Sequence, residues 1–122
     1  MLLVETESGI IISDMGFQFT EEDSSPGIDY ILPNTRYLEK NKDRILGLFI
    51  THAHLDHIGG IPYLIERIGN PTIYTRYLSS LMIKKRQAEF PHMPELDIKL
   101  VEPGERVRLK DTVVEIFSVT HS

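Results

Sequence analysis

Residues 45–57, ILGLFITHAHLDH, join a nearly continuous apolar run to a segment that packs three histidines and an aspartate into six positions, with Gly59-Gly60 directly after. A short apolar run of this kind, containing Gly47, reads as a strand buried on both faces, as in a sheet covered by other layers. It delivers the chain to Thr51 and His52 at its carboxyl end. In open α/β sheets that is the edge where ligands and catalytic groups collect, because the strand fixes the position and the following residues are free to vary. Alternate residues of an extended segment point the same way, so His52 and His54 can reach one metal together. Asp56 and His57 then turn toward an adjacent position. One ion would leave two good ligands unused, whereas two ions roughly 3.5–4 Å apart would use all four. The bland alternative is three unrelated surface histidines. Chance would produce this spacing on the order of one time in a thousand, so the metal reading is preferred.

Composition narrows the chemistry. With 122 residues and 41% hydrophobic content the chain has the size and make-up of one globular domain. It holds no cysteine, so a metal site must be built from His, Asp and Glu, which points to Zn, Mn or Mg. No apolar run approaches the roughly 18 residues needed to span a bilayer, and the start MLLVETESG lacks the pattern of a secretory signal. The expectation is a soluble, cytoplasmic protein with no membrane partner. A net charge of −5 argues mildly against a nucleic-acid-binding face, although a partner domain could supply one. Lys84, Lys85 and Arg86, with Arg76 nearby, form a basic cluster whose plainest reading is a solvated helix face.

Along the chain, Leu2 to Glu5 and Ile10 to Ser13 read as a hairpin around Glu7-Ser8-Gly9. Phe17 to Gly27 reads as an acidic loop before the apolar run Asp29 to Leu32, and Thr35 to Arg44 as a short polar helix. Pro62 suits the first turn of a helix that carries Tyr63, Leu64, Ile65 and Ile68. Thr72 to Thr75 is the next strand. Tyr77 to Phe90 is predicted to be an amphipathic helix with Leu78, Leu81, Met82 and Ile83 facing inward and the basic cluster outward. Strands Ile98 to Val101, Val107 to Leu109 and Thr112 to Thr120 follow. Helices and strands alternate in the middle and strands cluster at both ends, which predicts an α/β class with a mixed sheet.

Two further histidines need placing. His92 lies alone between Pro91 and Pro94 and is read as non-functional. His121 follows Thr120 at a strand end much as His52 follows Thr51, and parallel positions in one sheet would bring both to the same edge. On the residues alone, a structural role for His121 stays open.

The THAHLDH-x-GG run resembles the first metal-binding motif, H-x-H-x-D-H, of the metallo-β-lactamase superfamily. The wider chain is similar to the ribonuclease J group of the β-CASP RNA-processing nucleases, through GIIISDMGFQF, the stretch from GIDYILPN through GLFITHAHLDHIGGIPYL to NPTIY, and the closing VEIFSVTHS. That resemblance implies the N-terminal half of an αββα sandwich, a mixed sheet with flanking helices. It implies that His52, His54 and His121 bind one divalent metal and that Asp56 and His57 bind a second, most often Zn. Asp14 in SDMG would order the motif rather than bind metal. Asp56 would also take part in catalysis, and the reaction implied is attack of a metal-activated hydroxide on a phosphodiester. The family's bridging aspartate, its β-CASP insertion and its last histidine ligand have no counterpart here. Residues 1–122 are therefore expected to form a partial, truncated metallo-β-lactamase domain, inactive by itself.

The resemblance makes RNA a partner through the complete protein, together with the remaining half of the fold and a possible second copy. A lone sheet would leave an apolar face, including Ile45 to Ile50 and Val113 to Val119, in water. A thioesterase- or lactonase-type hydrolase of the same fold would carry the same metal motif. A non-catalytic truncated interaction module is the alternative from another class.

Overall fold

The computed structural model describes residues 1–15, 18–19, 30–31, 35–51, 58–93 and 95–117. Strands β1 (Leu2–Glu5) and β2 (Ile10–Ser13) pair antiparallel as predicted. Thr6 and Gly9 close their turn with two backbone hydrogen bonds of 2.8 and 3.2 Å. Gly9 is required there, since a Cβ would lie 2.3 Å from the carbonyl oxygen of Arg44.

Strands β3 (Gln18–Phe19) and β4 (Tyr30–Ile31) form a small antiparallel pair, so part of the predicted loop is strand. The predicted helix from Thr35 to Arg44 is divided into α1 (Arg36–Lys40) and a 3₁₀ turn over Lys42–Arg44. Leu38 alone anchors α1 in the core, which is too little to carry regular helix further. Arg44 instead reaches back to β1, bonding Glu5 and the Thr6 carbonyl, each at 3.0 Å. The Tyr37 hydroxyl donates to the same Glu5 carboxylate, and that bond raises the tyrosine pKa above its ordinary value.

Strand β5 (Ile45–Phe49) lies parallel between β2 and β6 (Ile73–Thr75), and β7 (Ile98–Leu100) runs parallel beside β6. The order β1-β2-β5-β6-β7, with only β1 antiparallel, is the predicted mixed sheet. One face packs on α1, α2 (Ile61–Leu64) and α3 (Tyr77–Gln87), and Ile10, Ile12, Leu48 and Ile73 of the sheet meet Leu38, Leu64 and Ile83 of the helices there. The other face carries Ile11, Phe49, Tyr74 and Val101, covered by the hairpin of β8 (Arg106–Leu109) and β9 (Thr112–Glu115). A hydroxyl contact of 3.1 Å between Thr6 and Thr112 ties that hairpin to the β1–β2 turn.

Three expectations change. The inner face of β5 is not in water, because the hairpin covers Phe49, which is 9% exposed, while Ile50 is buried in the core on the helix side. Val113 and Phe117 do remain exposed, at 48% and 73%. The second correction concerns α3, where only Ser80 and Ile83 are buried while Leu78, Leu81 and Met82 face outward. The helix sits over the sheet margin and buries a narrow arc, which the count of its apolar residues does not reveal. The third is that β9 ends at Glu115 and belongs to the antiparallel hairpin, not to the parallel sheet; His52 and His121 lie outside the described residues.

Candidate active site

The site is built at the carboxyl edge of β2, β5 and β6. Just beyond Ser13, Asp14 takes a left-handed conformation at φ 64°, which an aspartate tolerates better than most residues. That turn brings its backbone N–H to the Phe49 carbonyl at 2.8 Å. Its carboxylate accepts the Thr51 N–H at 2.9 Å and the Thr51 hydroxyl at 3.1 Å. The next residue, Met15, is fully buried, and its carbonyl accepts the Gly60 N–H at 2.9 Å. Both approaches to residues 52–57 are thus tied to one dipeptide, Asp14-Met15.

Strand β6 holds the same edge from the other side. The strands pair in parallel through Leu48↔Ile73 and Phe49↔Tyr74, and Thr51 and Arg76 follow just beyond their ends. Ile50 donates its N–H to the Tyr74 carbonyl at 3.0 Å. Where β5 hands over to the motif, the buried Thr75 hydroxyl donates to the Ile50 carbonyl at 3.4 Å. The rings of Phe49 and Tyr74 stack with centroids 4.7 Å apart. Gly47 makes room for this pair, since a Cβ there would lie 2.7 Å from a ring carbon of Tyr74.

Above the stacked rings opens a cavity of about 340 Å³, lined by Ser13, Thr51, Tyr74, Arg76, Ile116 and Phe117 among others. The chain therefore runs from β9 past the same edge that bears Thr51. A second cavity of about 290 Å³ lies at the far end of α3, against Gln87, Phe90 and Met93. Among the described residues no histidine lines it, and it lies beside the amino end of β7, on the edge opposite to Thr51.

Of the predicted site residues, Asp14 is described, and its carboxylate bonds Thr51, the residue before His52. His52, His54, Asp56, His57 and His121 lie outside the described residues. Among the described residues no group of three His, Asp or Glu side chains could hold a metal ion. His92 is exposed in a turn remote from the motif-bearing edge. Sequence reasoning placed Thr51 at this edge but missed Thr75 and Arg76 as parts of it, and only their place at the end of a buried strand could have signalled it.

The basic cluster does not form one patch. Arg86 is 21% exposed, packs over the rings of Tyr63 and Phe90 at 5.9 and 5.3 Å, and bonds Glu89 at 2.8 Å. Lys84 and Lys85 stand in the last turn of α3, where the helix dipole favours cations. Arg76 is separate, at the start of α3 beside Thr51.

A mixed sheet with helices on one face, strands on the other and a motif-bearing carboxyl edge defines a metallo-β-lactamase fold, and the family model described as the metallo-beta-lactamase superfamily matches residues 2–121. The chain belongs to this superfamily. Over 119 residues it is 35% identical to Ribonuclease J of Synechocystis sp., covering 97% of this chain and 18% of the relative. Ribonuclease J 1 of Streptococcus pyogenes serotype M3 is 37% identical over 119 residues, covering 98% and 21%, and Ribonuclease J of Helicobacter pylori is 33% identical over 122 residues, covering 100% and 18%. The chain spans about a fifth of the length of these curated relatives. Among solved structures, Rm3 metallo-beta-lactamase superposes with a TM-score of 0.57 at 20% identity, covering 91% of this chain and 42% of that one. A B3 metallo-beta-lactamase with an active-site glutamic acid gives 0.58 at 21% identity with the same coverage. These two share the fold.

The superfamily fold implies divalent metal ions. The donor set fits them, since imidazole and carboxylate groups suit Zn and Mn, and both approaches to the motif are anchored to the sheet edge. Among the described residues, no helix is long and apolar enough to cross a membrane.

Proposed function

We propose that this chain is the metal-binding part of a metal-dependent ribonuclease of the ribonuclease J type. The observation that carries this reading is 33–37% identity to Ribonuclease J proteins along essentially the whole chain, with the HAHLDH motif and its Asp14 support intact. His52, His54 and His121 would hold one divalent cation, Asp56 and His57 a second, and zinc is the metal this donor set favours. When bound, two such cations supply an acidified water and offset charge developing on phosphate oxygens. In the hydrolysis a water oxygen bonds to phosphorus, the bond from phosphorus to the leaving ribose oxygen breaks, and a proton passes to that oxygen. Asp56 stands nearest the reacting atoms in this assignment. Asp14 acts one step removed, by fixing Thr51 and so the start of the motif.

The rest of the reading concerns the protein around the site. RNA is the substrate, the remaining half of the fold completes the ligand set and clamps the strand, and the setting is the cytoplasm. Residues 1–122 form a partial domain that does not hydrolyse RNA alone. A second copy of the chain is a further partner, since Leu78, Phe117 and Val113 present apolar surface. The test is a chimera in which this chain replaces the matched segment of Streptococcus pyogenes Ribonuclease J 1. It should hydrolyse a 5′-monophosphorylated single-stranded RNA with Mn or Zn, and His54→Ala should abolish the activity. A folded, metal-loaded chimera that leaves RNA intact but opens lactones or thioesters would replace the nuclease with the small-molecule hydrolase.

A further inference from the structure

Resting on the nuclease reading above, we propose that Arg76 grips a phosphate oxygen of the RNA strand beside the metal-binding motif. The position follows from the sheet. Parallel register carries β5 and β6 to the same edge, where Thr51, the residue before His52, and Arg76 each follow the end of their strand. Both residues line the cavity of about 340 Å³, a volume within the range of small-ligand sites.

The guanidinium is available for a new partner. Its side chain is 52% exposed, and the Glu102 carboxylate it faces at 3.6 Å is itself 62% exposed. A long, solvated pair of this kind contributes about 0–1 kcal/mol and exchanges readily. Glu115, also on the cavity, is offset by Arg106 across the hairpin at 3.9 Å. A planar guanidinium matches two phosphate oxygens at once, which a lysine cannot do. The other cations of α3 are unsuited to this task. Arg86 is committed to Tyr63, Phe90 and Glu89, and Lys84 and Lys85 stand at the opposite end, roughly 13 Å along a helix that rises about 1.5 Å per residue.

A phosphate-binding arginine and a structural ion pair differ in what their two partners do when changed. The experiment measures binding of a fluorescent single-stranded RNA to the metal-free chimera with Streptococcus pyogenes Ribonuclease J 1 by anisotropy, across a series of salt concentrations. Arg76→Gln should weaken binding about three- to tenfold and reduce the salt dependence by about one counterion. Glu102→Gln should have the opposite sign and tighten binding, because it releases the guanidinium. Arg76→Lys should fall between Gln and wild type. If both Gln variants weaken binding alike, the pair is structural and the proposal fails. Wild-type affinity and salt slope in Arg76→Gln would overturn it as well. A chimera without these substitutions that does not bind RNA would overturn the nuclease reading and this inference together, whereas binding that Arg76→Gln leaves unchanged would overturn this inference alone. Both positions are half-exposed, so circular dichroism should report unchanged folding in every variant.

Discussion

The carboxylate of Asp14 receives both polar hydrogens of Thr51, its N–H at 2.9 Å and its hydroxyl at 3.1 Å, so the end of β2 is bonded to the residue that precedes His52. Asp14→Ala removes these acceptors and leaves a Cβ at φ 64° without the local bonds that made it tolerable. The variant should lose about 1–3 kcal/mol by chemical denaturation of the metal-free chain. Asp14→Asn, which keeps one acceptor and tolerates the backbone, should lose less. Metal affinity should fall in the same order, by titration against a chelating dye. Equal affinity in wild type and Asp14→Ala would remove Asp14 from the ordering of the motif.

Gly47 sets the shape of the cavity floor. Its replacement by alanine would drive a methyl group to 2.7 Å from the buried Tyr74 ring, which is stacked on Phe49 and has little room to retreat. Gly47→Ala should cost about 1–3 kcal/mol as overpacking. Combined with Tyr74→Leu, which empties the contact, the cost should shrink in a double-mutant cycle of denaturation curves. Additive losses would show that the strain arises elsewhere.

The division of labour within the motif is testable in the chimera with Streptococcus pyogenes Ribonuclease J 1. Asp56→Ala should melt within a few degrees of the parent when both are metal-free, while RNA hydrolysis falls below detection. A liganding carboxylate serves the bound state, and its loss leaves the metal-free fold unburdened. Comparable hydrolysis by the variant would take Asp56 out of the mechanism.

Much of this was legible in the sequence, and the failures have physical causes. The β1–β2 hairpin, strand β5 and the handover from Ile50 to Thr51 follow from short-range patterns, where apolar runs and turn residues decide the outcome locally. Asp14 was assigned through resemblance, and its hydrogen bonds to Thr51 agree with an ordering role. The direction of α3 was misread because Leu78, Leu81 and Met82 look like a core face, yet the helix meets the sheet only along Ser80 and Ile83. Helical period states which residues share a side, not which side the sheet will cover. Likewise nothing local in TVVE, residues 112–115, separates a strand of the parallel sheet from one in a separate hairpin. The unity of the basic cluster dissolved for a related reason, since Tyr63 and Phe90, far apart in sequence, converge on Arg86. Arg76 stood out only once the register of β5 and β6 was known.

The isolated chain is expected to self-associate through exposed apolar side chains. Leu78 at 74% and Phe117 at 73% are the most exposed large hydrophobics among the described residues, and surface of this kind drives association when it is contiguous. Light scattering should show mass rising with concentration, and Phe117→Ser together with Leu78→Ser should lower it. A monomer at every concentration, with unchanged mass in the double variant, would contradict the expectation.

The most direct measurement is a zinc titration of the metal-free chain followed by NMR of the histidine side chains, with His52→Ala and Asp56→Asn as controls. Zinc should shift three of the five histidines, those at 52, 54 and 57, whatever His121 does, and leave His92 at its metal-free position. Each variant should bind less metal than wild type, by elemental analysis after dialysis. Zinc that leaves His52, His54 and His57 unmoved, or variants that keep full occupancy, would show that the motif at the end of β5 is not a metal site.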